Sequence, residues 1–495
     1  MSTSETPNEK GVPEHFESES YDESQTSIPE AHRQYIIARH GTDQLDPLPD
    51  FNDEDPYNWP RPKKWLNLLF IAFHAFVATF SAASIQSAFE DIAVDLNVSI
   101  QTASYLVSLT IAVLGVAPLF WGPLASRFGR RPILLVSLIV SLAANVGCAK
   151  SPSYSTMAVS RAIQSFAISP AAAIGSGMVQ EMFFKHQRAR YLGIWTVCVT
   201  LGIPVAPFVF GFVALRVGYR WIYWTLAITN AVQLPLYFLF GSETRYIRGQ
   251  ENPMPKGYLR SLVHFRRIDS TPITLWDFIH PLRFATFPCV AIPAVAYVMV
   301  FNLAAVLPTI ETPQLYVEQF HFNAEQVGLQ NAAIIIGTLL GEHVGGFCSD
   351  RWMKQKRATA PEFRLWLSYF GYALSIAGLA VFLVQLERAG NTFNITPTVG
   401  TGVASAGNQI VTTILITYSV DCHHQEAASI GVFITLVRQL WGFIGPFWFP
   451  PLLANVGLIA STGVATALIV GGSILPTVLL QWKGKDWRKH HNIEE

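Results

Sequence analysis

Four ionisable residues, His74, Arg161, Glu311 and Glu342, interrupt stretches that are otherwise apolar. Such a group must face water, a partner or a solute, so each is a candidate for moving a proton. Glu342 is the strongest, because a carboxyl group in apolar surroundings can take up and release a proton near physiological pH as its exposure changes. It also lies toward one end of its stretch, beside Gly337, Gly341 and Gly345, where pairing with a loop arginine is the plainer reading. Glu311 stands near the end of another stretch, where solvation would suffice. His74 has an ordinary pKa that suits a switch, and equally suits packing with one satisfied hydrogen bond. Arg161 either couples protons or orients a solute, or else reaches carbonyls or water near the membrane surface.

Other polar residues in these stretches are candidates to line a cavity: Gln86, Asn302, Asn408, Gln409 and Arg438, with Tyr105, Trp195 and Tyr418 offering faces to an apolar or cationic molecule. The run Asp421-Cys422-His423-His424 lacks a helix-spaced ligand pattern and reads as a solvated loop, so no metal and no cofactor are expected. No Gly-x-x-x-x-Gly-Lys-Ser/Thr loop cradles a nucleotide, so the driving energy must come from a gradient. No nucleophile-and-base arrangement suggests an enzyme. Net charge is zero with no extended basic stripe, which argues against nucleic acid as a partner.

The elements that must position these residues are membrane helices. Apolar residues form 51% of the chain and charged ones 14%, and the mean hydropathy is +0.31. Those values favour a bilayer over water. Runs of about twenty apolar residues cross roughly 30 Å of hydrocarbon. They predict spans at 65–89, 102–124, 132–149, 154–180, 190–214 and 220–240, and again at 285–309, 326–348, 363–386, 397–419, 428–453 and 457–480. The expected organisation is a disordered tail over 1–64, a six-helix bundle over 65–240, a linker over 241–284, a second bundle over 285–480 and a tail over 481–495.

Arg127, Arg130 and Arg131, then Lys185, Arg188 and Arg190, then Arg351, Lys354, Lys356 and Arg357 gather in even-numbered connections, which predicts those loops and both termini to be cytosolic. Two sequons, beginning at Asn97 and Asn394, fall in predicted outside connections, where glycans are added. Five scattered cysteines suggest no disulfide framework, and without a charged n-region followed by a short apolar h-region at the start, no cleaved signal peptide is expected.

The connection after the second span reads Gly122-Pro-Leu-Ala-Ser126-Arg127-Phe-Gly129-Arg130-Arg131, and a partial copy, Gly346-Phe-Cys-Ser-Asp350-Arg351, follows the eighth. Two related basic hairpins at matching places indicate repeated halves. Gly122 is expected to let helices approach, Gly129 to permit the turn and the arginines to hold the loop at the surface. With this duplication the chain resembles the major facilitator superfamily. Ser126 departs from the family pattern, which usually has Asp there. The resemblance implies that this acid helps latch the two halves on the cytosolic side; Ser126 could hydrogen-bond a helix N-terminus only as a neutral group, so a weaker latch is expected.

Further residues narrow the likeness. Ser160-Arg161-Ala-Ile-Gln164-Ser165 is similar to the superfamily motif of helix four. Gly202-Ile-Pro204-Val-Ala-Pro207-Phe-Val-Phe-Gly211 is similar to the antiporter motif of drug exporters. Asp55-Pro-Tyr-Asn58-Trp59-Pro60 and Ser242-Glu243-Thr244-Arg245-Tyr246 look like the fungal twelve-helix drug:proton antiporter branch. The resemblance implies an all-α membrane protein with two pseudo-symmetric bundles, a monomer in the plasma or vacuolar membrane, exporting small organic molecules against protons. A proton symporter importing a solute such as a polyamine, and a sensor that has lost transport, stand as alternatives.

Overall fold

The computed structural model describes residues 29–42, 44–248, 267–355, 361–390, 392–423 and 426–491. Eleven helices among them are long and apolar enough to cross a membrane: Arg61–Asp95, Ile100–Phe128, Arg130–Ala149, Tyr154–Met182, Arg190–Val217, Pro288–Phe320, Ala324–Met353, Pro361–Ala389, Thr396–Cys422, Ala427–Val456 and Leu458–Arg488. A further helix, Arg220–Phe240, occupies the expected sixth span, where Asn230, Gln233 and Pro235 dilute its apolar content. Counted in chain order, these are helices one to twelve.

Their pairing gives two bundles. Helix one packs on five and three on six and four; helix ten packs on nine, eight and seven. Across the seam between bundles, helix five meets eight and helix two meets eleven. Side-chain caps set several helix starts: Ser99 accepts the N–H of Thr102, Ser153 that of Thr156 and Asn323 that of Gln326. All three lie at the end opposite the loops carrying Arg127, Lys185 and Arg351. The two ends are called distal and basic below.

The boundaries differ from the sequence expectation at both ends of the chain. Part of the segment read as a disordered tail is ordered: Glu30–His40 is helical, and Asp55, Tyr57, Asn58 and Trp59 are buried. Tyr57 donates to the carbonyl of Gln180 at 2.5 Å, Lys64 donates to the carbonyl of Tyr57, and Trp59 packs with Val179, Met182 and Phe183. A polar composition hid this because the segment folds onto the bundle, not onto itself. Residues 1–28 lie outside the described residues, as do linker residues 249–266 and the loop cations Lys356 and Arg357. At the other end the helix of the twelfth span runs on to His491 through the expected tail.

Candidate substrate cavity and gating network

Glycines mark where the seam is closed. A β-carbon on Gly328 would lie 2.5 Å from the carbonyl oxygen of Pro207, one on Gly211 2.5 Å from that of Ala324, and one on Gly115 2.7 Å from Cβ of Gln439. These contacts run from mid-membrane to the distal end. There Tyr105 stacks on Phe447 with ring centroids 4.6 Å apart, and Gln101 donates to the carbonyl of Pro446. Toward the basic end of the same four helices, a β-carbon at Gly122, Gly193, Gly346 or Gly431 would meet nothing within 4 Å. The bundles therefore meet distally and part toward the basic end. Gly122 does not serve the close approach expected of it; its flank faces open space.

Helix five shows what its motif does. Gly202 lies against helix one, where a β-carbon would come 2.7 Å from the carbonyl of Phe76, and Gly211 lies against helix eight. Pro204 and Pro207 sit inside the continuous helix Lys185–Val217. Each removes a backbone donor and clashes with the preceding turn, which shapes the helix between its two partners.

At the basic end the hairpin is held by carboxylates distant in sequence. Gly129 has φ +95°, as the turn requires. Glu243, just beyond helix six, accepts the backbone N–H groups of Arg130 at 2.8 Å and Arg131 at 2.9 Å. It thereby caps helix three with a charge that suits the helix dipole. Arg130 pairs with Glu181 at 2.9 Å, and Arg131 donates to the carbonyl of Phe238. Both arginines are nearly buried, so they tie helices three, four and six together instead of reaching for the membrane surface. Arg127 pairs with Asp269 and Asp277 of the connection between the bundles. Asp269 is held down to about 2 by hydrogen bonds from the N–H and hydroxyl of Thr271, with Arg127 adding to the effect. Ser126 caps no neighbouring helix; its hydroxyl donates to the carbonyl of Gly122 one turn back. In the second copy, Arg351 is exposed and the Asp350 side chain lies outside the described residues. Related pairs form nearby, Arg364 with Asp421 and Arg488 with Glu362.

The four ionisable candidates do not converge. Arg161 is fully buried inside the first bundle, donating to the carbonyls of Ser81 and Ala82 and to the hydroxyl of Ser84, with its guanidinium 5.8 Å from the Tyr223 ring. The first continuous helical segment ends at Ala83, so Arg161 satisfies carbonyls left open there. Gln164 donates to the Ser81 hydroxyl in the same cluster. His74, also buried, shares a 3.1 Å hydrogen bond with Ser137. Glu311 is buried near the distal end of helix seven, with Oε1 unpartnered. Glu342 is half-buried; its Oε2 accepts Gln409 Nε2 at 2.6 Å and Thr413 Oγ1 at 3.1 Å. That pairing with helix ten replaces the loop arginine expected from sequence. Gly337, Gly341 and Gly345 bring helix eight against helix ten and so make it possible.

The other candidates divide by depth. Trp195 fills the space beside Gly175, and Tyr418 is fully buried against Gly484 at the basic end; both are packing positions. Gln86, Asn302 and Asn408 are buried with side-chain oxygens lacking partners. Asn302 opens a π-helical turn over Asn302–Val306, opposite Gly445 of helix eleven. Arg438 is half-buried mid-way along helix eleven, 5.3 Å from the Phe301 ring. Glu181 and Glu243, central to the network, stood out from sequence only through the motif around Glu243, because their partners lie 51 and 113 residues away. Asn97 and Asn394 are exposed at the distal end.

Comparison with known proteins agrees with this architecture. The model of the Major Facilitator Superfamily matches residues 71–446. An uncharacterized transporter of Schizosaccharomyces pombe is 24% identical over 451 residues, 88% of this chain and 91% of its own length. The efflux pump vrtL of Penicillium aethiopicum is 26% identical over 416 residues, 82% of each chain. The antiporter QDR3 of Candida albicans is 30% identical over 197 residues, 40% of this chain and 28% of its own. Among solved structures, the peptide transporter POT superposes with a TM-score of 0.62 at 16% identity, over 94% of this chain and 99% of its own. That last likeness speaks for the fold alone.

Proposed function

The chain belongs to the major facilitator superfamily, and from that premise we propose that this membrane transporter is a proton-coupled exporter of small organic molecules such as drugs, toxins or secondary metabolites. It works by alternating access, rocking two bundles about a central cavity. The observation that carries the coupling is the half-buried Glu342 carboxylate, held by Gln409 and Thr413 in the bundle that parts from its partner toward the basic end. Both of those partners are neutral donors on helix ten, and neither is a cation. Arg161 and His74 are engaged with helix ends and hydroxyls and serve the scaffold. Export is supported by the helix-five motif and by the efflux pump and antiporter among the relatives.

The basic end faces the cytosol with both termini, the distal end faces outward with Asn97 and Asn394 open to glycosylation, and the protein acts as a monomer in a fungal plasma membrane. Ser126 leaves the first-half latch to Glu243, Glu181 and Asp269.

Transport in sealed vesicles containing the purified protein tests this reading. An imposed proton gradient should drive extrusion of members of a panel of lipophilic molecules and fungal metabolites, and Glu342→Gln should abolish the gradient dependence. Accumulation along the proton gradient would make the protein a symporter. No flux for any solute in either direction would sink transport itself.

A further inference from the structure

On helix eleven, Arg438, Gly442, Gly445 and Phe449 share one face by helical spacing. Gly442, Gly445 and Phe449 are buried. Phe301 and Val306 come within 4 Å of a β-carbon at Gly442, and Asn302 Oδ1 within 2.7 Å of one at Gly445. The membrane-facing side is elsewhere, at Leu440 and Ile444, which are 40% and 44% exposed. The accessible part of Arg438 therefore opens to the interior, one turn toward the basic end from where Gly442 closes against helix seven. Its neighbour Gln439 meets Gly115 of the opposite bundle, which places Arg438 where the closed seam begins to part.

The guanidinium there is almost without partners. Its Nη1 reaches the Tyr297 hydroxyl only at 3.5 Å, its Nε is buried and unpartnered, and its Cζ lies 5.3 Å from the centre of the Phe301 ring. Among the described residues no carboxylate lies within ion-pair distance of it. Glu342 Oε2 is committed to Gln409 and Thr413, and Glu311 stands nine positions beyond Asn302 toward the distal end of helix seven. An arginine in mid-membrane is costly, and its planar donors match a carboxylate or phosphate bidentately.

We propose that Arg438 is the charge-selecting residue of the cavity and that the cargo is an organic anion. Its carboxylate or phosphate pairs with the Arg438 guanidinium, and its apolar or aromatic body lies along the half-buried Phe301. This rests on reading the cavity as the solute path, and it gives that path a charge class that a lipophilic cation or polyamine does not share.

The test is equilibrium binding to the full-length protein in detergent, without a gradient, of three size-matched probes: naphthoate, its neutral amide and a naphthylmethylammonium cation. Wild type should bind naphthoate roughly ten- to a hundredfold more tightly than either other probe, the range of one charge-assisted hydrogen-bond pair. Arg438→Gln should erase that preference, and Arg438→Lys should keep part of it. A wild type that prefers the cation, shows no preference, or binds none of the three overturns the inference. So does a naphthoate preference that survives in Arg438→Gln. If Arg438→Gln does not fold, the ranking of the three probes by wild type still decides. Flux in vesicles separates the two readings: cation extrusion without naphthoate binding would leave transport standing and remove this inference, whereas naphthoate binding without any flux would do the reverse. An inorganic phosphate arm distinguishes carboxylate from phosphate cargo by competition.

Discussion

A β-carbon on Gly129 would lie 2.5 Å from Glu243 Oε2, so the turn residue and the carboxylate that caps helix three exclude each other's enlargement. The positive φ of Gly129 adds a second penalty to any side chain there. Gly129→Ala should therefore displace Glu243 and lower stability by about 1–3 kcal/mol, while Glu243→Gln should lower it by about 1–2 kcal/mol through the weaker cap. Thermal unfolding of the purified protein checks this. An unchanged midpoint in both variants would mean that the cap is not holding the hairpin.

Gly328 tests the closed seam. A β-carbon there meets the Pro207 carbonyl at 2.5 Å, and backbone cannot give way as a side-chain tip can. Gly328→Val should prevent distal closure and shift the population toward a state closed at the basic end. Spin labels on Gly122→Cys and Gly431→Cys, positions with open space beside them, should move closer together in that variant. Unaltered label distances would refute the assignment of the seam.

Arg161→Gln is expected to act through folding. Its loss leaves the Ser81 and Ala82 carbonyls unpaired at a helix end, at a cost of about 1–3 kcal/mol. The amount of folded protein should fall while flux per folded molecule keeps its proton dependence. A well-folded variant that has lost coupling alone would return Arg161 to the proton path.

For the loop ion pair of Arg127 and Asp269 the expectation is constancy. Asp269 stands at about 2 against an ordinary 3.8, so its contribution is complete above about pH 4 and is lost as pH falls through 2. Asp269→Asn should therefore alter transport or stability by the same factor at pH 5 and pH 8. A difference between those two values would point to another titrating partner.

The spans, the two halves and the basic hairpins were legible because each depends on local composition or on a motif read within ten residues. What escaped depends on rotation and on distance along the chain. Glu342 faces Gln409 and Thr413, a fact fixed by how the glycines of helix eight seat on helix ten, and sequence gives no angle between helices. The contacts of Arg161 follow from where the first continuous helical segment stops, at Ala83, six residues earlier than the expected 89. Tyr418 and Trp195 looked available for cargo because an aromatic residue in a membrane helix carries no mark of which side it faces. The ordered stretch from Asp55 to Trp59 was too polar to be read as packed, since its apolar partners belong to helix four and the loop after it.

The distal seam rests chiefly on glycine against backbone, with one largely exposed pair, Arg216–Glu325, bridging helices five and eight, whereas the basic end is laced with several less exposed arginine–carboxylate pairs. Contacts of the first kind feel almost nothing from dissolved ions, and partly exposed pairs of the second kind are weakened by them. The two faces of the protein therefore answer to salt to different degrees, the distal one held mainly by packing and the basic one by charge pairs exposed to the ionic strength of the compartment it borders.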